Sequence, residues 1–275
     1  MNNFFAQNLV HLRKESGMTQ EKLASLIGVS FQAVSKWENG QAYPDIELIP
    51  SIASIFKVSI DVLLGYQAEK INTTHYEEKY LKYDCYWGSE VWSGCYDVLK
   101  MMPPTRPLRI LDIGCGEGQA AVFFARNGYL VSAFDIAEAG IEKGKALARR
   151  CGVEVDFFQA DVCSYKPETE FDIIFSSGVL QYIPPQKRKG VLEDLKEHTA
   201  PDGIHVMNVF VKKPFIKDAP DWEEKEFYWH TGELFSYYSD WKFEVMQENI
   251  FDCNSSGIKH QHCMDVMMAR KVQAI

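Results

Sequence analysis

The chain has 275 residues, of which 46% are apolar and 24% are charged. This length and composition indicate one large globular domain or two unequal ones, and they exclude disordered, collagen-like and low-complexity proteins. The net charge of −9 argues against a protein that coats nucleic acid over its whole surface.

The sequence carries no signal for export or membrane insertion. No apolar stretch reaches the roughly 18 residues of a membrane span, and the first residues lack the basic and apolar regions of a signal peptide. The seven cysteines are irregularly spaced, which is typical of reduced thiols. We therefore expect a cytoplasmic protein with no membrane partner.

The first 66 residues predict five short helices and no strand. Thr19 is placed to cap the second helix, which Gly28 ends, and Ser30 is placed to cap the third. This pattern predicts a small all-α domain over residues 1–66. The polar stretch at residues 67–75 has no helical or strand periodicity and is predicted to be a linker.

The segment from Thr19 to Gly40 has the pattern helix, tight turn, helix. In that arrangement the second helix enters the major groove of DNA while the first crosses the phosphate backbone. Glutamine can read adenine, alanine can contact a thymine methyl, and lysine can bind phosphate. The residues predicted to face DNA are Gln20, Ser30, Gln32, Ala33 and Lys36. Val34 and Trp37 lie on the opposite face and are predicted to be core.

The run from Met18 to Asp45 resembles the Cro/λ-repressor-like (XRE) helix-turn-helix domains, and the resemblance extends over residues 4–65. It implies a transcription regulator that binds a specific operator, which we expect to be palindromic and bound by a homodimer. The alternative is a small helical bundle that contacts only other proteins.

From Leu108 onward the sequence alternates strand and helix patterns, which predicts a mainly parallel sheet with helices on both faces. The predicted strands are 108–113, 130–135, 154–158, 171–176, 203–210, 242–250 and 262–270. The predicted helices are 118–127, 137–150, 186–199 and 231–239. An aromatic segment precedes the sheet, in which Tyr83 and Trp87 are predicted to share one helical face over the site.

A glycine-rich turn follows the first predicted strand. Gly114, Gly116 and Gly118 alternate along it, Asp112 precedes it, and Asp135 ends the next strand. The spacing G-x-G-x-G differs from the G-x-G-x-x-G of dinucleotide-binding turns. A carboxylate beside the turn suits an ammonium group better than a pyrophosphate, and an acid after the second strand can hold ribose hydroxyls.

These segments resemble the class I S-adenosylmethionine-dependent methyltransferases, over residues 76–271 of a domain that we set at residues 76–275. The resemblance implies a Rossmann-like α/β fold with a seven-stranded, mostly parallel sheet whose last strand is antiparallel. It also implies S-adenosylmethionine as cofactor. The implied cofactor-binding residues are Asp112, Gly114, Gly116, Gly118, Asp135, Ile136, Asp161, Val162, Ser177 and Gln181.

A narrower resemblance is to the tellurite-resistance methyltransferases. It rests on the segment Gly128–Asp135 and on a set of residues near the C-terminus. The residues of that set are Gly232, Glu233, Leu234, Tyr237, Tyr238, Trp241, Met268, Ala269, Arg270 and Lys271. An oxyanion acceptor would favour arginine near the start of the last strand. This chain has His260, His262 and Cys263 there, so tellurite is not the expected acceptor.

Methyl transfer needs a base only where the acceptor loses a proton. His230, His260 and His262 are the base candidates, of which His230 and His262 are predicted to be catalytic, although a helix-capping role for His230 and a solvated edge position for His260 and His262 remain alternatives. The cavity above the sulfonium is predicted to be lined by Gln181, Tyr182, Trp229, His230 and His262. A nearby acidic segment would repel anions, so we expect a neutral or cationic small-molecule acceptor. The acidic residues of that segment are Asp218, Asp221, Glu223, Glu224 and Glu226.

Cys253, His260, His262 and Cys263 also form a candidate zinc set, since cysteine and histidine are the ligands that zinc prefers. The set contains no C-x-x-C pair, and on a strand His262 and Cys263 point to opposite faces. We therefore predict no metal site.

The sequence thus predicts a methyltransferase acting on a small molecule, fused to a DNA-binding domain. The alternative is a transcription regulator whose second domain senses S-adenosylmethionine without turnover. A DNA methyltransferase is disfavoured, because the loop after the fourth strand, starting at Ser176, lacks the N/D-P-P-[YFW] motif.

Overall fold

The computed structural model describes residues 4–58, 60–64, 76–220, 226–254 and 258–272. The chain forms two compact units, Met1–Ile71 and Asn72–Ile275. The linker predicted at 67–75 lies outside the described residues, so the predicted domain boundaries stay predictions. Within the described part of the chain, no helix is both long and apolar enough to span a membrane.

The first unit is helical in its described residues, as predicted. Its helices are α1 (Phe4–Glu15), α2 (Gln20–Ile27), α3 (Phe31–Glu38), a 3₁₀ turn (Ile46–Leu48), α4 (Ile49–Phe56) and α5 (Ile60–Leu64). Thr19 caps α2 through a hydrogen bond from the Lys22 N–H, and Ser30 caps α3 through one from the Ala33 N–H. Gly28 ends α2 with a φ of +73°, which glycine adopts without strain.

The helices of the first unit enclose a small apolar core. Leu23, Val34 and Trp37 are buried in it, as the helical spacing predicts. Beside the core, the Arg13 guanidinium donates to both carboxylate oxygens of Glu38 at 2.5 and 2.8 Å. Burial raises the pKa of Glu38, but the hydrogen bonds from Arg13 and Gln20 outweigh it and leave the pKa below its ordinary value.

The second unit is an α/β domain built on a seven-stranded sheet. Its strands are β1 (Arg109–Ile113), β2 (Leu130–Asp135), β3 (Asp156–Gln159), β4 (Phe171–Ser176), β5 (Thr199–Phe210), β6 (Lys242–Cys253) and β7 (His260–Arg270). Its helices are α6 (Tyr76–Lys82), α7 (Gly94–Met101), α8 (Gln119–Arg126), α9 (Glu138–Cys151), α10 (Pro185–Glu197) and α11 (Glu233–Ser236).

The strand order is β3-β2-β1-β4-β5-β7-β6, with β7 antiparallel to both of its neighbours and the other pairs parallel. The predicted sheet and its antiparallel last strand are therefore confirmed. Two apolar clusters cover its faces. The carboxyl ends of the parallel strands meet at one edge, where ligands bind in this class of sheet.

Some local predictions in the second unit are wrong. Helix α6 ends at Lys82, so Tyr83 and Trp87 lie in the loop after it and share no helical face. The last two strands extend beyond the predicted 242–250 and 262–270, because β6 and β7 pair as far as Cys253 and His260.

Candidate active site

The turn after β1 requires glycine because its backbone is left-handed at alternate residues. Gly114, Gly116 and Gly118 have φ values of +67°, +54° and +83°, a region in which side chains are strained. A Cβ atom on Gly114 would lie 2.5 Å from Val179 Cγ2, and one on Gly116 would lie 3.0 Å from Tyr80 Oη. The left-handed backbone and the neighbouring side chains of the protein therefore require glycine at these positions.

Gly118 lies at a close contact between two helices. A Cβ atom there would lie 2.7 Å from the Cα atom of Gly144 in α9, and the residue serves as the left-handed N-cap of α8. It lines neither of the two cavities at the strand ends. The missing side chain of Gly118 therefore allows close helix packing, and a contact of its backbone with the cofactor stays a prediction.

Asp112 lies one residue before the end of β1, Asp135 ends the neighbouring strand β2, and both carboxylates are buried. Burial and the charge of Asp135 raise the pKa of Asp112 to about 7. None of the described residues donates a hydrogen bond to Asp112 Oδ2. A buried carboxylate oxygen without a protein donor is a binding position for a cationic or donor group.

The Asp135 carboxylate organises the turn itself. Its Oδ2 accepts from the Gly116 N–H at 2.9 Å and its Oδ1 accepts from the Ala137 N–H at 2.9 Å. Burial raises the pKa of Asp135, and these backbone donors partly oppose that rise. Each carboxylate oxygen has a second lone pair, so ribose hydroxyls could still donate to it.

Two adjoining cavities lie at the carboxyl ends of the strands. The larger has a volume of about 370 Å³ and the smaller about 90 Å³. The predicted residues that line the larger cavity are Asp112, Gly114, Gly116, Ser177, Gln181 and His262. The predicted residues that line the smaller cavity are Gly114, Asp135, Ile136, Asp161, Val162 and Ser177. Gly114 and Ser177 border both cavities, so the structure brings the cofactor candidates other than Gly118 to one site.

Asn208 on β5 fixes the loop between the two cavities, and the sequence analysis missed it. The buried side chain donates to Ser177 Oγ and accepts from the Gly178 N–H, both at 2.9 Å. Next to it, Gln181 Nε2 donates to the Gly178 carbonyl at 2.8 Å. No donor among the described residues reaches Gln181 Oε1, which is buried. A polar residue between the apolar neighbours Met207 and Val209 was the available signal for Asn208.

The larger cavity is also lined by aromatic and acidic side chains. Phe210, Tyr228 and Phe251 line it beside His262. The carboxylates that line the whole cavity are Glu90, Asp112 and Glu226. Among the described residues that line it there is no lysine or arginine, which agrees with the acidic surroundings expected from the sequence. Residues 221–225 of the predicted acidic segment lie outside the described residues.

Three of the expected acceptor residues lie elsewhere. Trp229 is fully buried, with its indole N–H donating to the Leu180 carbonyl at 3.2 Å. His230 is exposed and lies outside both cavities, so its candidacy as a catalytic base is corrected. Tyr182 lines the smaller cavity, and its hydroxyl donates to Glu226 at 2.9 Å. Of the aromatic run before His230, Trp229 belongs to the core whereas Tyr228 lines the larger cavity, a division that sequence spacing alone did not reveal.

A cover over the site is formed by α6 and the loop after it. Tyr76 and Trp87 line both cavities, and the Trp87 indole donates to the Tyr80 hydroxyl at 2.9 Å. Buried Glu117 accepts from the N–H groups of Tyr86 and Trp87 at 2.8 and 3.2 Å. The sequence analysis missed Glu117, although a charge inside a glycine turn was a visible signal.

The cysteine and histidine set divides in two. Cys263 is buried in the core on one face of β7, which agrees with its expected separation from His262. Cys253, His260 and His262 come together on the other face, with their ligand atoms all within 4.8 Å of one another. Spacing along the chain missed this group, because Cys253 and His260 meet only through the pairing of β6 with β7.

The helix-turn-helix presents some of its predicted DNA contacts to solvent. Gln32 and Lys36 are exposed on α3, whereas Ala33 is half-buried against the core. Ser30 Oγ is engaged in capping α3. Gln20 Nε2 donates to Glu38 at 2.7 Å, so a phosphate contact by Gln20 would have to replace this bond. The DNA contacts stay predictions.

Comparison with known families agrees with both units. The methyltransferase domain family matches residues 110–203, and the helix-turn-helix family matches residues 10–63. The strand order, the glycine turn and these matches define the class: an XRE-type helix-turn-helix domain followed by a class I S-adenosylmethionine-dependent methyltransferase domain. The resemblance inferred from the sequence and the cofactor class are thereby confirmed.

Individual relatives resemble the second unit. The probable S-adenosyl-L-methionine-dependent methyltransferase TehB of Haemophilus influenzae is 26% identical over 180 residues, which cover 64% of this chain and 61% of TehB. The matched region is therefore less than two thirds of that relative. The crystal structure of Haemophilus influenzae TehB superposes with a TM-score of 0.61 at 22% identity, covering 71% of this chain and 67% of that one.

A more distant structure also shares the fold. Phosphoethanolamine N-methyltransferase 2 of Haemonchus contortus, solved with S-adenosyl-L-methionine, superposes with a TM-score of 0.57 at 17% identity. The superposition covers 74% of this chain and 59% of that one. At such identities the solved structures establish the fold of the second unit.

Proposed function

We propose that the second unit transfers the methyl group of S-adenosylmethionine to a neutral or cationic small organic molecule. The observation that carries the proposal is the pair of adjoining cavities, which both border the glycine turn and of which the larger is also lined by aromatic residues and carboxylates. The first unit would bind a specific DNA operator as a homodimer, so that the protein is also a transcription regulator.

The residues at the strand ends fit the cofactor. Asp112 Oδ2, which no described residue satisfies, suits the ammonium of the methionine half. Asp135 would hold the ribose hydroxyls, and Asp161 with Val162 would border the adenine in the smaller cavity. When bound, the cofactor supplies a methyl group on a sulfonium, which is already a strong electrophile. The chain has only to align the acceptor and exclude water.

The charge of the larger cavity selects the acceptor. Asp112 would pair with the cofactor ammonium, but Glu90 and Glu226 also line the cavity, and no lysine or arginine among the described lining residues balances them. An oxyanion would be repelled, whereas an amine, phenol or thiol would not. Gln181 Oε1 adds a buried acceptor atom that an N–H or O–H of the substrate could satisfy.

His262 is the candidate base for an acceptor that must lose a proton. Its ring lies in the cavity wall, 4.8 Å from the Phe210 ring and 5.6 Å from the Phe251 ring by centroid distance. Packing between two aromatic side chains limits its rotation and keeps it directed at the cavity.

The test is transfer of labelled methyl from S-adenosylmethionine to a panel of amines, thiols, phenols, tellurite and selenite. We expect turnover of an organic acceptor, reduced about 100-fold in His262→Gln, with unchanged turnover in the surface control His230→Gln. Turnover of tellurite alone would contradict the charge argument. Tight cofactor binding without transfer to any acceptor would favour the alternative, a domain that senses S-adenosylmethionine without turnover.

A further inference from the structure

The end of the β6–β7 hairpin gathers three side chains with metal-ligand chemistry. In the antiparallel register Cys253 lies directly opposite His260, and Phe251 lies directly opposite His262. Because alternate residues of a strand share a face, His260 and His262 point to the same side as Cys253. Cys253 Sγ and the nearest ring nitrogens of the two histidines all lie within 4.8 Å of one another.

We propose that Cys253, His260 and His262 bind a divalent transition metal of borderline softness, with Zn²⁺ as the representative ion. One thiolate and two imidazoles form a ligand set that zinc prefers. Three protein ligands leave a fourth position open, which distinguishes catalytic zinc sites from closed structural ones.

The two histidine rings already meet through their Nε2 atoms. His260 Nε2 and His262 Nε2 are hydrogen-bonded at 2.9 Å, and a small separation would give the roughly 3.3 Å between two nitrogens on one tetrahedral zinc ion. His260 Nδ1 lies 2.7 Å from the Ile258 carbonyl, which can only accept, so in the neutral ring Nδ1 donates and Nε2 accepts from His262 Nε2. The metal would replace the hydrogen bond between the rings, with the His262 proton moving to Nδ1. A backbone carbonyl that orients a histidine in this way is the usual support of a metal ligand.

The open position would face the larger cavity, because Cys253 and His262 both line it. All three ligand residues are half-buried, so an ion could reach them. A water or a small thiol could complete the coordination there, and a thiol would lose its proton on binding. The proposed metal site depends on the proposed function in one respect, which is that the same cavity would hold the methyl acceptor. With metal bound, His262 serves as a ligand rather than as a base.

The test is calorimetric titration of the untagged, chelator-treated full chain with Zn²⁺ in the absence of cofactor. We expect one ion per chain and a Kd that rises at least about 100-fold in Cys253→Ser and in His262→Gln. Exposed Cys85→Ser and His230→Gln are the matched controls and should bind as the parent does. Equal Kd values in the parent and in the Cys253→Ser/His262→Gln double variant would overturn the proposal.

A second measurement separates ligand loss from misfolding. Co²⁺ bound to the parent should show a thiolate charge-transfer band, which a small thiol such as 2-mercaptoethanol perturbs through the open position. Cys253→His should bind Co²⁺ with that band absent, since a ligand remains but no thiolate does. A band that persists in Cys253→His would show that the metal lies elsewhere. Because no methyl acceptor is involved, a failure here is distinct from a failure of the proposed transferase activity.

Discussion

The Glu117 carboxylate accepts the backbone N–H of Tyr86 at 2.8 Å, across 31 residues of sequence. The same oxygen also accepts the Trp87 N–H, and the other oxygen pairs with Lys143 at 2.8 Å. Glu117 lies inside the glycine turn, and Trp87 lines both cavities. One buried side chain therefore links the turn that would contact the cofactor to the aromatic segment that covers it.

We expect Glu117→Ala to loosen that cover. The two N–H groups would lose their acceptor, and Lys143 would lose its ion-pair partner while keeping its hydrogen bond to the Tyr83 carbonyl. Breaking a buried ion pair typically costs about 3–5 kcal/mol. Lys143 is partly exposed, so the loss should fall at or below the lower end of that range. Hydrogen exchange should accelerate at Tyr86 and Trp87, and S-adenosylmethionine should dissociate faster.

The matched control for that prediction is Glu142→Ala, which removes an exposed glutamate paired with Lys145 on α9. It should leave exchange and dissociation unchanged. Equal exchange rates at Trp87 in Glu117→Ala and in the parent would show that the cover is held by its aromatic contacts alone.

A second prediction concerns the pH dependence of cofactor binding. Burial raises the pKa of Asp112 to about 7 in the protein without ligand. The protonated carboxyl cannot pair with an ammonium, so the proton must leave before the cofactor binds. Affinity for S-adenosylmethionine should therefore fall about tenfold per pH unit below pH 7.

Calorimetry from about pH 5.5 to about 8 on the parent and on Asp112→Asn measures this dependence. Any titration of S-adenosylmethionine itself affects both proteins equally. The difference between their pH profiles of Kd therefore reports the ionisation of Asp112 alone. Asparagine cannot ionise, so the variant should bind weakly and lack the additional slope. Parallel pH profiles would remove Asp112 from the ammonium position.

The central fold was predictable because its signals are local. The alternation of strands and helices, the caps at Thr19 and Ser30, and the core positions of Val34 and Trp37 follow from short-range periodicity. The acids at the ends of β1 and β2 were identifiable for the same reason, since parallel strands bring their carboxyl ends to one edge.

What the sequence did not reveal depends on contacts between distant segments. Glu117 matters because a loop 31 residues earlier folds onto it. Trp229 resembled a cavity residue but is buried, and its indole donates to Leu180, 49 residues away. The meeting of Cys253 with His260 depends on strand register, which no spacing rule along a single strand contains.

The third prediction separates the charge of Asp135 from its structural role. Asp135→Ala should weaken S-adenosylmethionine binding by roughly 1.5–3 kcal/mol, or about 10- to 150-fold in Kd, because charge-assisted hydrogen bonds to ribose are lost. Exposed Glu168→Ala is the surface control. Asp135→Asn retains one acceptor oxygen but would rearrange the bonds to the N–H groups of Gly116 and Ala137.

Calorimetry gives the affinities, and thermal unfolding of the cofactor-free proteins shows whether the turn has been disturbed. A lower Tm with unchanged affinity would mean that Asp135 only holds the turn. Equal affinities in Asp135→Ala and Glu168→Ala would remove the ribose assignment.

The fourth prediction tests the first unit against DNA. Gln32 and Lys36 are exposed one turn apart on α3, yet they should act differently. Gln32→Ala should lose discrimination at one base step, worth about 1–3 kcal/mol, because a glutamine amide can read the adenine edge. Lys36→Ala should weaken binding to all sequences alike and reduce the salt dependence by about one ion, because lysine neutralises phosphate.

Selection from a random DNA library with the full chain should first yield a palindromic motif. The affinities of the parent and of each variant for DNA that carries this motif are then measured at several salt concentrations. Lys14→Ala on α1 is the control for general loss of positive charge. Without an enriched motif, the helical unit would be assigned to protein contacts instead. If Gln32→Ala lowered every affinity equally, α3 would contact only the phosphate backbone, since a residue that reads a base must change the ranking of sequences.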